Sequence, residues 1–242
     1  MSLPSLPCQS LREGLHSMNK TAYSRPEYRI LARLARPYYP YDGPNSWQHI
    51  QEVRRRAAKM ARKFYGRQLT PAEYAAIMFH DNTKREFGSE NHGRMGADRA
   101  TKILAMAQIM SAKQNAEAEQ AIRVHDDNLA KFPSRTAELL ASADANPPDV
   151  DWLANKSYNY AIRHGLIGDD RYRHVVEQIP KKYGSSGTFN APDIYKRYYG
   201  NRYADFQREL DNLTFDATKA RLTAYRNKYG IGPDEQKVIH NV

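Results

Sequence analysis

The chain reads as an all-α protein, and three observations lead there. Apolar residues recur at helical spacing, as in Trp47, Ile50, Val53, Ala57, Met60 and Phe64. Helix starts are marked by capping residues, most clearly in Thr70-Pro71-Ala72-Glu73. Beyond residue 150, YADFQREL and the stretch from Thr214 to Tyr229 again read as helices, the second closed by Gly230. Three segments follow: a leader over 1–45 with one short helix, a helical core over 46–150, and a Tyr-rich basic extension over 151–242. The extension is expected to pack on the core as added helices.

The leader is irregular except for EYRILARLAR, and PYYPYDGPN after it forces a turn. Ser46 caps the first core helix and Gly66 stops it. His49 lies about one turn before Val53, beside the apolar stripe. The next helix starts at the capping box, with Pro71 at its first position, and runs through Ala75, Ala76, Met78 and Phe79 into His80-Asp81. A polar loop, REFGSEN, is expected next. His92 then opens a helix with Gly96, Ala100, Ile103, Leu104, Ala107 and Met110 on its stripe. Ala118, Ala121, Ile122 and His125 share a face of another helix. Ser134 caps a further one, in which Ala137, Leu140, Ala141 and Asp144 align. An acid in line with an apolar stripe needs a positive partner if it is buried. ANPPDVD then breaks the chain.

Composition narrows the function. One cysteine, Cys8, excludes an internal disulfide framework and a cysteine-based zinc cluster, and fits a reducing compartment. No stretch approaches the roughly 20 apolar residues of a membrane span, and the N-terminus does not read as a secretory signal. A cytoplasmic protein is expected. The net charge of +10 attracts anions, nucleotides and nucleic acids among them. These charges are spread along the chain, as a solvated basic surface would be, rather than gathered in one groove. Walker A loops, G-x-G-x-x-G, G-x-S-x-G and Cys-x-x-Cys are absent from the sequence.

The most informative residues are His80 and Asp81, at the end of an apolar helix, with His49 before them and Asp144 after them. Imidazole and carboxylate together suit Mn, Fe, Co, Ni, Zn or Mg. Adjacent residues reach one ion only at a helix end or a distortion, and polar Asn82-Thr83 fits such an end.

The segments SWQHIQEVRRRAAKMA, AAIMFHDNTK, NHGRMGADRATKIL, AIRVHDDN and ELLASADAN resemble the HD-domain superfamily of metal-dependent phosphohydrolases, over about residues 46–146. The resemblance implies a single HD-type helical bundle with additional C-terminal helices. It implies His49, His80, Asp81 and Asp144 as metal ligands, leaving room for water and substrate on a six-coordinate ion. In some members two further histidines bind a second metal, and His92 and His125 stand in that order here. The short segment from His80 to His92 favours one ion, with His92 and His125 as a second-metal set or as phosphate contacts. Lys84 holds the lysine place of HDxxK, where it would bind phosphate or stabilise developing charge. Asp81 would share in proton transfer, and Arg54 would join Lys84 on the substrate. Asn82 and Thr83 depart from the family's apolar and small residues, and Ala145-Asn146 from its Leu-Asp. The Glu-Asp pair of alarmone hydrolases and the GYP signature of cyclic-dinucleotide enzymes are missing.

The expected activity is therefore metal-dependent hydrolysis of a phosphate ester or anhydride, most plausibly of a nucleotide. The first alternative is a di-iron oxygenase, which needs both His92 and His125. The second is a basic nucleic-acid-binding protein with a structural metal, in which tyrosines of YKRYYGNRY stack on bases. Packing of those tyrosines within the added helices is the favoured reading.

Overall fold

The computed structural model describes residues 25–40 and 46–235, with side chains except at 89 and 90. The leader up to residue 24, Cys8 included, lies outside the described residues, as do positions 41–45 of the turn and 236–242. Among the described residues every regular element is a helix. They are α1 (Pro26–Ala35), a 3-10 turn (Arg36–Tyr38), α2 (Trp47–Tyr65), α3 (Pro71–Phe79), α4 (Lys84–Ala107), α5 (Ala112–Val124) and α6 (Arg135–Asp144). The extension adds α7 (Val150–Arg163), α8 (Asp170–Tyr183), α9 (Asp193–Tyr199), α10 (Asn201–Asp211) and α11 (Phe215–Lys228). None of these helices is long and apolar enough to cross a membrane.

Helix α3 is the axis of the first core. Its sequence is apolar on all sides after the first turn, the pattern of a helix surrounded by others. Tyr74, Ala75, Ala76, Ile77, Met78 and Phe79 are all buried, and α1, α2, α4, α5 and α6 pack around them. Burying Ile77, Met78 and Phe79 contributes about 1.5–3 kcal/mol each. The helix starts as its sequence dictates. Thr70 Oγ1 accepts from the Glu73 amide at 3.2 Å, and the Glu73 carboxylate accepts from the Thr70 amide at 2.7 Å. Arg67 grips the same buried carboxylate with two bonds of 2.7 Å.

Ser46 caps α2 by accepting from the His49 amide, and Gly66 ends it at φ 62°, where a side chain is disfavoured. Ser111 and Gln114 form a capping box on α5, and Ser134 caps α6. One expectation changes. The stretch after Asp81 is a helical turn continuous with α4 rather than a polar loop, and Gly88 at φ 68° kinks it. Glycine reaches that conformation without a Cβ penalty, so the helix breaks at one residue and resumes in a new direction. Helix α4 also ends at Ala107, before Met110.

The extension holds five helices where two were readable. Val150, Trp152, Leu153, Tyr158, Val175, Ile179, Tyr203, Phe206, Leu210 and Leu222 form a second buried cluster. Helix α9 joins it to the first: Ile194 is buried in the core cluster, and Tyr199 packs against both. Tyr195 and Tyr203 are buried, and Tyr198 and Tyr199 partly so. Their rings pack on one another at centroid distances of 4.7–5.4 Å. Two of the tyrosines of YKRYYGNRY are thus interior and the other two pack on them, as the packing reading expects.

Candidate metal centre

The ends of four core helices and the second limb of α4 bring six side chains together. His49 comes from the first turn of α2, and His80 and Asp81 from the turn that ends α3. His92 follows the kink of α4, His125 caps α5, and Asp144 is the last residue of α6. Three overlapping triads have ligand atoms within 4.8 Å of one another: His49-His80-Asp81, His80-His125-Asp144 and Asp81-His92-His125.

Asp81 lies between two groups of donors. Its Oδ2 is 3.6 Å from both His49 Nε2 and His80 Nε2. Its Oδ1 is 3.3 Å from His92 Nε2 and 3.7 Å from His125 Nε2. Asp144 Oδ1 closes the first group, 3.0 Å from His49 Nε2 and 3.4 Å from His80 Nε2. In the second group, His92 Nε2 and His125 Nε2 face each other at 3.1 Å. His80, Asp81, His92 and His125 are buried, while Asp144 and His49 keep some access to solvent.

The backbone aims the rings. His80 Nδ1 is 2.9 Å from the Ile77 carbonyl, and His125 Nδ1 is 2.7 Å from the Ile122 carbonyl. A carbonyl only accepts, so each Nδ1 carries the proton and each Nε2 turns inward. Orientation of this kind is typical of histidines that hold metals. His80 Nε2 is fully buried and makes no hydrogen bond. A bare nitrogen lone pair facing two carboxylate oxygens is repulsive unless a positive charge lies among them. The donor set therefore fits a divalent cation.

The carboxylates are ionised. Burial works to raise the Asp81 carboxyl. The neighbouring His80, the contacts with His125 and His92, and the Lys84 ammonium outweigh it and hold the group well below the usual carboxylate range. Asp144 is depressed in the same way: burial opposes, and His80 and His49 prevail. Lys84 Nζ lies 3.1 and 3.3 Å from the two Asp81 oxygens. Burial works against its charge, but Asp81, Asp144 and Asp126 raise its pKa.

Two adjacent residues face one centre because the helix is interrupted there. The Tyr39 hydroxyl donates to the Met78 carbonyl at 2.8 Å and accepts from the Asp81 amide. Tyr39 is buried, and burial followed by the charges of Asp81 and Asp144 raises its pKa well above the usual phenol value. Asn82 and Thr83, the departures from the family pattern, are buried against α4. Asn82 Nδ2 donates to the Gly96 carbonyl at 3.3 Å, and Thr83 Oγ1 to the His92 carbonyl at 2.9 Å. They set the position of α4 rather than the chemistry of a substrate. Gly96 has no room for a side chain, since a Cβ would meet Asn82 Oδ1 at 2.9 Å. Gly93 does the same against α5, 3.0 Å from the Arg123 carbonyl.

All six histidine and aspartate positions read from the sequence, and Lys84, come together. Arg54 donates Nε to Gln51 Oε1 on its own helix, at 3.0 Å. Arg56, two residues on, instead reaches the Ala143 carbonyl beside Asp144 at 2.6 Å, and its Nη2 is buried without a partner. Sequence reasoning also missed Asp126, whose Oδ2 is 4.0 Å from His92 Nε2. It missed Tyr39 as well, which carries no signal within its Pro- and Tyr-rich turn.

No protein-family model, curated protein or solved structure matches this chain.

Proposed function

We propose that the protein is an HD-type metal-dependent phosphohydrolase that cleaves a phosphate ester or anhydride, most plausibly of a nucleotide. The observation that carries the reading is the position of Asp81, with one carboxylate oxygen toward His49 and His80, which Asp144 also meets, and the other toward His92 and His125. That division supports two ions sharing Asp81, rather than the single ion favoured by the sequence. His49, His80, Asp81 and Asp144 would hold one ion; Asp81, His92 and His125 would hold the other. When bound, such ions acidify a water and stabilise charge on phosphoryl oxygens. Lys84 presents its ammonium beside Asp81, where it binds phosphate and offsets developing negative charge. Asp144 and His49 keep the solvent access a substrate needs, while the buried histidines exclude bulk water.

The test is release of phosphate and nucleoside from mono-, di- and triphosphate nucleotides with Mn, Co, Ni, Fe, Zn or Mg, with Asp81→Ala as control. Release that the variant loses supports the reading; no release from protein carrying metal refutes it. The second reading, a di-iron oxygenase, draws on the same pair His92 and His125 at Asp81 Oδ1. It requires about two irons per chain and oxygen consumption, without phosphate release.

A further inference from the structure

Two core helices end on the same pair of residues. His80-Asp81 follows α3, and His125-Asp126 follows α5. The two turns are built alike. Each histidine keeps helical backbone at the end of its helix. Each turns Nδ1 to the carbonyl three residues back, Ile77 at 2.9 Å and Ile122 at 2.7 Å. The residue after each aspartate then makes the same backbone bond. The Asn82 amide donates to the Phe79 carbonyl and the Asp127 amide to the Val124 carbonyl, both at 3.2 Å. Asp126 therefore stands to α5 as Asp81 stands to α3. Its Oδ2 lies 4.0 Å from His92 Nε2, and among the described residues it has no other ionic partner.

The second group of donors is short of negative charge. The first has two carboxylate oxygens, Asp81 Oδ2 and Asp144 Oδ1, beside its two imidazoles. The second has Asp81 Oδ1 alone, and the Lys84 ammonium shares that oxygen at 3.1 Å. A buried ion needs opposite charge close by. Asp126 is the one further carboxylate within 4.0 Å of His92 or His125 among the described residues. It also sits just past the C-terminus of α5, where the helix dipole disfavours an acid unless a cation is near. The loop that carries it is held in place. Asn128, two residues on, donates Nδ2 to the Thr188 carbonyl at 2.7 Å and accepts from the Asn190 amide on Oδ1 at 2.7 Å. Asn190 Nδ2 adds a bond of 3.2 Å to the Asn128 carbonyl. This staple from the extension fixes the backbone beside Asp126, whose side chain is 57% exposed. Asp126 lies outside the three triads. Because its side chain is not packed in, rotation about its first torsion moves the carboxylate between staggered positions at little cost.

We propose that Asp126, turned inward, is a fourth protein ligand of the second ion, with Asp81, His92 and His125. Each ion is then held by two imidazoles and two carboxylates, with Asp81 common to both. The proposal rests on the two-ion reading of the centre. It gives the second His-Asp pair of the chain the role that the first pair has, and it places the one exposed ligand of the second ion on a loop fastened by the extension.

The test is titration of the full chain with manganese(II), the unbound ion counted by electron paramagnetic resonance. Wild type is compared with Asp126→Asn, Asp127→Asn, His92→Ala and the double variant Asp126→Asn with His92→Ala, each checked for helicity and melting. The expected result is two ions per wild-type chain. Asp126→Asn weakens one of them by about 10–100-fold and leaves the other unchanged. Asp127→Asn removes the same charge one residue on and keeps both. The double variant keeps one ion, because both substitutions strike the same site. Two tightly held ions in Asp126→Asn, equal weakening by Asp127→Asn, or a double variant that holds none overturns the proposal and leaves the two-ion centre standing. A single ion in wild type refutes the two-ion reading and the ligand with it. Phosphate release separates the enzymatic reading: two ions that need Asp126, with no release from any nucleotide, support the ligand and refute the hydrolase.

Discussion

Tyr39→Phe removes one hydroxyl and tests how the His80-Asp81 turn is built. In a regular helix the Asp81 amide would bond the Ile77 carbonyl. Here that carbonyl lies 2.9 Å from His80 Nδ1, and the Asp81 amide donates to the Tyr39 hydroxyl. The same hydroxyl donates to the Met78 carbonyl at 2.8 Å. The substitution thus strands two buried backbone groups, at about 1–3 kcal/mol each before relaxation. A total of about 2–4 kcal/mol lowers the melting temperature of a chain this long by roughly 5–15 °C. The easiest relaxation returns the Asp81 amide to the Ile77 carbonyl and displaces His80 Nδ1. His80 then loses its anchor, and metal affinity falls by about 10–100-fold, as when an orienting partner is removed. Scanning calorimetry of metal-free protein and competition with a metal indicator measure the two effects. A variant that melts and binds metal as wild type does would refute this account of the turn.

Other consequences are as direct. Asp81→Ala should abolish stoichiometric metal binding while the helices persist, as read by elemental analysis and circular dichroism; full metal content in the variant would remove Asp81 from the centre. The depressed pKa values of Asp81 and Asp144 stabilise the metal-free chain fully above the unfolded carboxylate value, and that stability is lost as pH falls through the folded values. Asp144→Asn should therefore flatten the acid limb of a stability-against-pH curve from urea unfolding, and an unchanged slope would contradict it. Gly96→Ala pushes a methyl to 2.9 Å from the buried Asn82 Oδ1. It should destabilise by about 1–3 kcal/mol, whereas a melting temperature equal to wild type would mean that α4 shifts freely. Asn128→Ala removes the two side-chain bonds that fasten residues 188–190. Limited proteolysis should then cut within 184–190 faster, with little change in global melting; equal cleavage rates would deny the staple its role.

The legibility of the chain follows the distance over which its forces act. Caps, stops and stripes are local, so Ser46, Gly66, Thr70-Glu73 and Ser134 announced α2, α3 and α6. The candidate donors were legible for a similar reason: a histidine beside an apolar stripe has few explanations, and six residues in order have fewer. The extension was opaque because its partners are remote. Helix α7 is stitched to α11 by a buried Arg226 bonded to Asn155 and Asn159 and by the ion pair of Arg221 with Asp151, and to α8 by packing of Tyr158 on Tyr172. Pro180 inside α8 also reads as a break. The loop expected after Asp81 failed differently. Polar residues and Gly88 look alike in a loop and in a kinked, solvent-facing helix, and only the bonds of Asn82 and Thr83 to α4 distinguish them.

The electrostatics of the helix ends give an independent reason to expect a cation. Helices α3, α5 and α6 all end at the centre, and each C-terminus carries about half a negative charge. A chain tuned only for stability places lysine or arginine in such last turns. Helices α2, α8, α9 and α11 do so. Helices α3 and α6 do not, and α6 ends on Asp144, the charge its dipole disfavours. Helix α5 has Arg123, but that side chain turns away to Asp98 and Glu119, at 2.7 Å each. Three negative helix ends and two ionised carboxylates thus converge on four imidazoles, with the Lys84 ammonium at hand. Local rules broken together at one point mark a site whose compensation comes from elsewhere. A divalent ion supplies that compensation directly, since its charge acts on the carboxylates and the helix ends at once.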